Sequence, residues 1–179
     1  MSFRAKITVL NILIMNRVNC LLPNYPKHRV LYKPFECFRQ KLWKKLFKSF
    51  GEKSYIRSGV EILGYNNICI GNNCIIGPDS ILNASQQILI GDYFLSGPQL
   101  VIYTAEHGIL NNGEPFIFQP NNYSRVIIGD NVYLGARVMI LKGVNIGDNV
   151  VVAAGSIVTS NIPSNQLWGG VPAKKIKNL

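Results

Sequence analysis

Histidine and paired cysteine are scarce in this chain of 179 residues, which has four cysteines and two histidines. Cys20, Cys37, Cys69 and Cys74 form no C-x-x-C pair and have no histidine at zinc-site spacing, so a structural zinc module is excluded. All four read as reduced thiols, as in a cytoplasmic protein. A long apolar run is also missing. Ile7 to Met15, preceded by Arg4 and Lys6 and interrupted by Asn11, falls far short of the roughly 20 residues a spanning helix needs. No small-x-small cleavage site follows it, so no secretory signal is expected. At 47% apolar and 16% charged, the chain lacks the polarity of a disordered one.

Acidic residues are scarce where basic ones cluster. Residues 1–57 hold 13 of the 19 Lys and Arg but only Glu36 and Glu52, a net charge of +11. Residues 58–179 hold six basic and seven acidic groups, a net charge of −1. The basic character therefore belongs to an N-terminal appendage, residues 1–57. No nucleic-acid motif accompanies it, so nucleic acid is not an expected partner. Within it, Phe38, Leu42, Trp43, Leu46, Phe47 and Phe50 recur at helical spacing, with Arg39, Lys41, Lys44, Lys45 and Lys48 mostly opposite. An amphipathic helix is expected over about 36–50, stopped by Gly51. Such a helix either caps an open end of the fold or lies on an anionic membrane surface.

What the chain has is a period of six. Ile128, Leu134, Ile140, Ile146, Val152 and Val158 stand six apart, and Gly129, Gly135, Gly147 and Ala153 follow four of them. Neither the 3.6 period of a helix nor the 2.0 period of a plain strand produces this. A solenoid does, when each side is one short strand plus a corner and each step sends one aliphatic residue inward. The unit recurs at Ile70, Ile76 and Leu82, then at Ile90, Ser96 and Ile102. New turns are expected at Ile68, Ile88 and Ile127, with Gly, Asn and Asp at corners because they tolerate left-handed backbone. Residues 58–179 thus read as an all-β solenoid.

The period stops after Ile102 and resumes in register at Ile128. The interruption, about 103–125, is expected to be one protruding loop, and such loops often form a binding face. His107 sits at its root. Histidine can accept a proton near neutral pH, as attack by a hydroxyl on an acyl group requires, although a loop histidine can equally be solvent-exposed and idle. His28 has no comparable setting.

Residues 58–179 resemble the hexapeptide-repeat acyltransferases, which include galactoside, maltose and serine acetyltransferases. The resemblance is carried by Ile128-Gly-Asp-Asn-Val-Tyr-Leu-Gly-Ala-Arg-Val, Gly143-Val-Asn-Ile-Gly-Asp-Asn, Ala154-Gly-Ser-Ile-Val-Thr and the tail Gly169-Gly-Val-Pro-Ala-Lys. It implies a left-handed parallel β-helix, a homotrimer, and acetyl-CoA as co-substrate without a metal. It also implies His107 as general base in direct transfer, with Glu106 either orienting the imidazole or facing water. Backbone N–H groups would stabilise the oxyanion.

By the same resemblance, Gly135, Ala136, Ala154, Gly155 and Thr159 match the wall of a pantetheine groove between subunits. Lys174 and Lys177, in the C-terminal tail 164–179, match residues that meet the CoA phosphates. Trp168 either lines the donor pocket or packs the tail. The family's acceptor-binding asparagine falls at Gly77, which leaves Asp79 and Asn83 as nearby candidates. The chain is thus expected to be an O-acetyltransferase of a sugar or glycan precursor of capsule, exopolysaccharide or lipopolysaccharide type. The alternative is an N-acetyltransferase of a nucleotide-linked amino sugar. Two histidines do not supply the three that a zinc carbonic anhydrase of this fold uses. A cytoplasmic enzyme is expected, with a place at the inner membrane face if the basic helix binds lipid.

Overall fold

The computed structural model describes the backbone of residues 32–179 and the side chains from Arg39 onward. The run Ile7 to Met15, Cys20 and His28, and the side chains of Cys37 and Phe38, lie outside the described residues.

Helix α1 (Tyr32–Leu46) leads into a parallel solenoid of five complete three-sided turns and a partial sixth. The first turn is β1 (Ser49–Phe50), β2 (Tyr55–Ile56) and β3 (Glu61–Leu63), and the second is β4 (Ile68–Ile70), β5 (Ile75–Ile76) and β6 (Ile81–Asn83). The third is β7 (Ile88–Ile90), β8 (Leu95–Ser96) and β9 (Val101–Tyr103). A loop with a small antiparallel base, β10 (Ala105–Glu106) on β11 (Asn122–Tyr123), precedes the fourth turn. That turn is β12 (Val126–Ile128), β13 (Tyr133–Leu134) and β14 (Met139–Ile140), and the fifth is β15 (Asn145–Ile146), β16 (Val151–Val152) and β17 (Ile157–Val158). Stacked strands form three sheets: A (β1-β4-β7-β12-β15), B (β2-β5-β8-β13-β16) and C (β3-β6-β9-β14-β17). The hairpin β18 (Gln166–Gly170) and β19 (Ala173–Asn178) adds two strands to sheet B.

The period of six reports the interior directly. Ile128, Leu134, Ile140, Ile146, Val152 and Val158 are each at most 2% exposed. A second inward column, four residues on, comprises Val132, Val138, Val144, Val150, Ser156 and Ile162, all buried. Each turn therefore sends two residues per side into a dry core. Full burial of an aliphatic side chain contributes about 1.5–3 kcal/mol. The turns expected at Ile68, Ile88 and Ile127 are stacked neighbours in sheet A, with Ile68 opposite Ile88 and Ile127 opposite both Leu89 and Asn145.

Corner glycines Gly59, Gly64, Gly143 and Gly155 have the expected positive φ, but those between sheets A and B differ. Asn73, Asn131, Asn149 and Asn165 do hold left-handed backbone, with φ between 54° and 62°. Gly71, Gly91 and Gly129 do not have positive φ. Each is small because a carboxylate from the next turn sits against it: a Cβ would strike Asp92, Asp130 or Asp148 respectively. Those carboxylates accept backbone N–H bonds from the turn below, Asn72 N to Asp92, Asp92 N to Asp130 and Asp130 N to Asp148, at 2.7–2.8 Å. The Ile-Gly-Asp-Asn signature is thus a hydrogen-bonded ladder along the corner between sheets A and B.

The N-terminal helix ends at Leu46 rather than near residue 50, and the solenoid begins at Ser49 rather than 58. Ser49 and Phe50 pair with Cys69 and Ile70, so the first turn takes its residues from the end of the basic segment. Two-residue strands carry no periodic signal of their own. Trp43, Phe47 and Phe50 are buried, and stacked rings link Trp43 and Phe47 to Tyr65. This apolar face closes the open first turn. It leaves exposed Lys41, Lys44, Lys45 and Lys48, but no free apolar face among the described residues of α1 for a bilayer. Arg39 is not on the charged face; it is 3% exposed. No helix among the described residues is long and apolar enough to cross a membrane.

Candidate active site

The corner between sheets B and C holds an open groove of about 620 Å³. One residue per turn is in the left-handed region there: Gly59, Asp79, Gln99, Arg137 and Gly155, with φ between 55° and 73°. Asp79, Gln99, Arg137 and Gly155 line the groove, together with Pro98, Ala136 and Ala154. The wall is low at Ala136 and Ala154, the small residues before Arg137 and Gly155, and the backbones there approach closely. A Cβ on Gly135 would lie 2.5 Å from the Ala154 nitrogen, and one on Gly97 would lie 2.6 Å from the Ala136 nitrogen. Toward Gly155 the groove is open, with nothing within 4 Å of where a Cβ would stand.

The structure thus brings together Ala136, Ala154 and Gly155, with Gly135 behind them. Asp79, singled out as an acceptor contact, lines this same groove. Thr159 and Asn83 do not. Thr159 follows β17 and Asn83 ends β6, both at the far end of sheet C. The Asn83 Oδ1 accepts bonds from the Ser85 N–H and hydroxyl at 3.3 and 2.7 Å.

The C-terminal segment is a hairpin rather than a loose tail. Trp168 pairs with Val152, packs against the core, and donates its indole N–H to Gln166 Oε1 at 2.8 Å. Lys174 and Lys177 are exposed on β19, the outermost strand of sheet B.

His107 lies at the third corner, between sheets C and A, where the loop leaves. Thr104, fully buried, anchors the departure: its hydroxyl donates to the Asn83 carbonyl at 2.9 Å, and its carbonyl accepts from Ser124 N at 3.0 Å. Glu106 forms an ion pair with Lys142 at 3.1 Å. That pair ties the loop root to the fourth turn, so the Glu106 carboxylate has a partner other than the imidazole. His107 is exposed and makes no hydrogen bond to another described residue.

Sequence reasoning missed Gln119, Lys142, Gln99 and Arg137. Gln119 is 4% exposed, and its amide staples the loop through Leu110 N and O at 2.7 and 2.8 Å and the Glu114 carbonyl at 2.9 Å. Beyond that staple, Ile109, Leu110, Phe116, Ile117 and Phe118 are all more than 60% exposed, a bare apolar tip.

His107 and the groove stand at opposite ends of sheet C. A side of six extended residues spans roughly 20 Å at most. The imidazole and the groove of one chain thus stand at different corners of the prism. Away from the groove, burial raises the pKa of the Cys74 thiol above its ordinary value. No group of three or more His, Cys, Asp or Glu suited to a metal occurs among the described residues.

A family model described as a hexapeptide repeat of succinyl-transferase matches residues 125–160. Galactoside O-acetyltransferase of Escherichia coli K12 is 34% identical over 145 residues, spanning 79% of this chain and 68% of that protein. A putative lipopolysaccharide biosynthesis O-acetyl transferase of the same organism is 32% identical over 139 residues, 72% of this chain and 70% of the relative. Among solved structures, a hexapeptide-repeat acetyltransferase of Vibrio cholerae in complex with acetyl coenzyme A superposes with a TM-score of 0.83 at 27% identity, covering 99% of this chain and 90% of that one.

Proposed function

The chain belongs to the hexapeptide-repeat acetyltransferases, and from that membership we propose that it transfers an acetyl group from acetyl-CoA to a hydroxyl of a sugar or glycan precursor. The observation that carries the donor half is the groove itself, whose small side chains at Ala136, Ala154 and Gly155 leave room for an extended pantetheine arm. Lys174 and Lys177, exposed at the hairpin edge, suit the CoA phosphates as point charges.

In this reading the working unit is a homotrimer in which His107 of one copy faces the groove of another. Two observations support it. The imidazole and the groove of a single chain stand apart, and the loop that carries His107 ends in apolar side chains that need a cover. His107 removes the proton from the acceptor hydroxyl as that oxygen attacks the thioester carbonyl carbon. The C–S bond then breaks, and the departing CoA sulfur takes a proton. Glu106 holds the loop root through Lys142 and acts on His107 only by position.

The test is ligand-dependent stability. A chain that binds acetyl-CoA shows a melting temperature that climbs with acetyl-CoA concentration, and thiol release when sugars are added. A melting curve indifferent to millimolar acetyl-CoA would overturn the proposal.

A further inference from the structure

Small side chains line only the half of the groove nearer the C-terminal hairpin. From the C-terminal hairpin inward, the corner first presents Gly155 with Ala154, then Ala136. From Arg137 onward it turns polar, with Gln99 and Asp79 on the next two turns. Arg137 Nε donates to Gln99 Oε1 at 2.7 Å. This bond fixes both side chains across adjacent turns. The guanidinium's remaining N–H donors and the Gln99 amide N–H group have no other partner among the described residues, and exposed Asp79, one of whose oxygens stands over Gly59, adds a carboxylate acceptor. In the proposed donor orientation the CoA phosphates lie at the hairpin, so the thioester end arrives at this polar stretch.

We infer that Asp79, Gln99 and Arg137 form the acceptor subsite, and that it takes an uncharged, hydroxyl-rich sugar. The inference rests on the proposed acetyl transfer and adds to it the place and chemistry of the acceptor. Stacked strands lie about 4.8 Å apart, so three successive turns span roughly 10 Å, room for a pyranose ring with its hydroxyls. Sugar hydroxyls both donate and accept, and the trio supplies both kinds of partner. The charges of Asp79 and Arg137 cancel, so the subsite offers no net field to favour an anionic sugar.

Kinetics of the full-length protein test this, with methyl galactoside, maltose, glucuronic acid and a UDP-linked hexose as acceptors. The variants are Asp79→Asn, Gln99→Asn and Arg137→Asn, because asparagine tolerates the left-handed backbone of all three positions. The expected result is turnover of an uncharged sugar, with acceptor KM raised about 10–100-fold in each variant. The acetyl-CoA dissociation constant should stay within about twofold and the melting temperature within about 2 °C. Weakened acetyl-CoA binding with unchanged acceptor KM would instead make Arg137 a donor contact and overturn the assignment. Unmoved parameters would also overturn it, as would turnover confined to charged or nucleotide-linked sugars, or no turnover by a protein that binds acetyl-CoA. Failure to bind acetyl-CoA at all would defeat the underlying transferase reading instead.

Discussion

Two corners of the same prism repeat the same left-handed bend and use it in opposite ways. Between sheets A and B, the polar side chains of Asp92, Asp130 and Asp148 accept backbone N–H bonds from the neighbouring turn. Asn131 and Asn149 extend the pattern, each amide bonding the asparagine one turn on at 2.8 and 3.2 Å. Between sheets B and C, Pro98, Ala136 and Ala154 stand where those aspartates do and offer no side-chain acceptor; the left-handed residues beside them are Gln99, Arg137 and Gly155, with Asp79 one turn earlier, and the one side-chain bond seen among these joins Gln99 to Arg137. The first corner spends its polar groups on the fold. The second sets Asp79, Gln99 and Arg137 along a groove, although one Asp79 oxygen also stands over Gly59. A polar residue in a repeat is informative about function when the repeat does not already use it.

The largest effect should come from outside both corners. His107→Ala is expected to lower turnover by roughly 10²–10⁴-fold while acetyl-CoA affinity changes little. Steady-state rates beside a binding titration check this, and full activity in the variant would remove His107 from the mechanism. Next in size is a matched glycine pair. Gly129→Ala places a methyl against the Asp148 carboxylate and the Gly147 backbone and should cost about 1–3 kcal/mol. At roughly 2–4 °C per kcal/mol, that is visible in a melting curve. Gly155→Asn meets open space and keeps a backbone that asparagine tolerates. It should leave melting nearly unchanged while weakening acetyl-CoA binding about tenfold by narrowing the groove. Equal destabilisation by the two would erase the contrast between the corners.

The smallest effect concerns Cys74, on the inner side of the closed corner, where its Sγ donates to the Gly91 carbonyl at 3.1 Å. Burial holds its pKa above the ordinary thiol value, so the folded chain keeps a proton that the unfolded chain loses sooner. Its contribution is therefore fully present below the ordinary thiol value and fades as pH rises through the raised one. In mass-resolved alkylation, Cys74 should react more slowly than half-buried Cys69. Faster modification of Cys74 would contradict the packing of that corner.

Much of this was legible beforehand because burial repeats. Ile128, Leu134 and Ile140 advertise a core every six residues, and the break after Ile102 advertises a loop. What stayed hidden has physical reasons. Gly91 and Gly129 look like flexible corners in sequence, but their role depends on a carboxylate one turn away. Ser49 and Phe50 form a strand too short to show any alternation. Gln99 and Arg137 are adjacent in space only because the loop between them is spliced out of the stack. Gln119 has no local signal, since its partners, three backbone groups and the Asn112 side chain, are brought near only by the loop's own path. The separation of His107 from the groove is a property of whole sides rather than of any motif.

That separation underlies the proposal that the reacting imidazole and the donor groove come from different copies of the chain. Mixing two inactive variants tests it directly. One carries His107→Ala, and the other has its groove filled by Ala136→Trp; the two are unfolded and refolded together. If each cleft joins two copies, random trimers regain up to about a quarter of wild-type activity. If the mixture stays as inactive as its components while it assembles normally, imidazole and groove belong to the same chain and the claim is wrong.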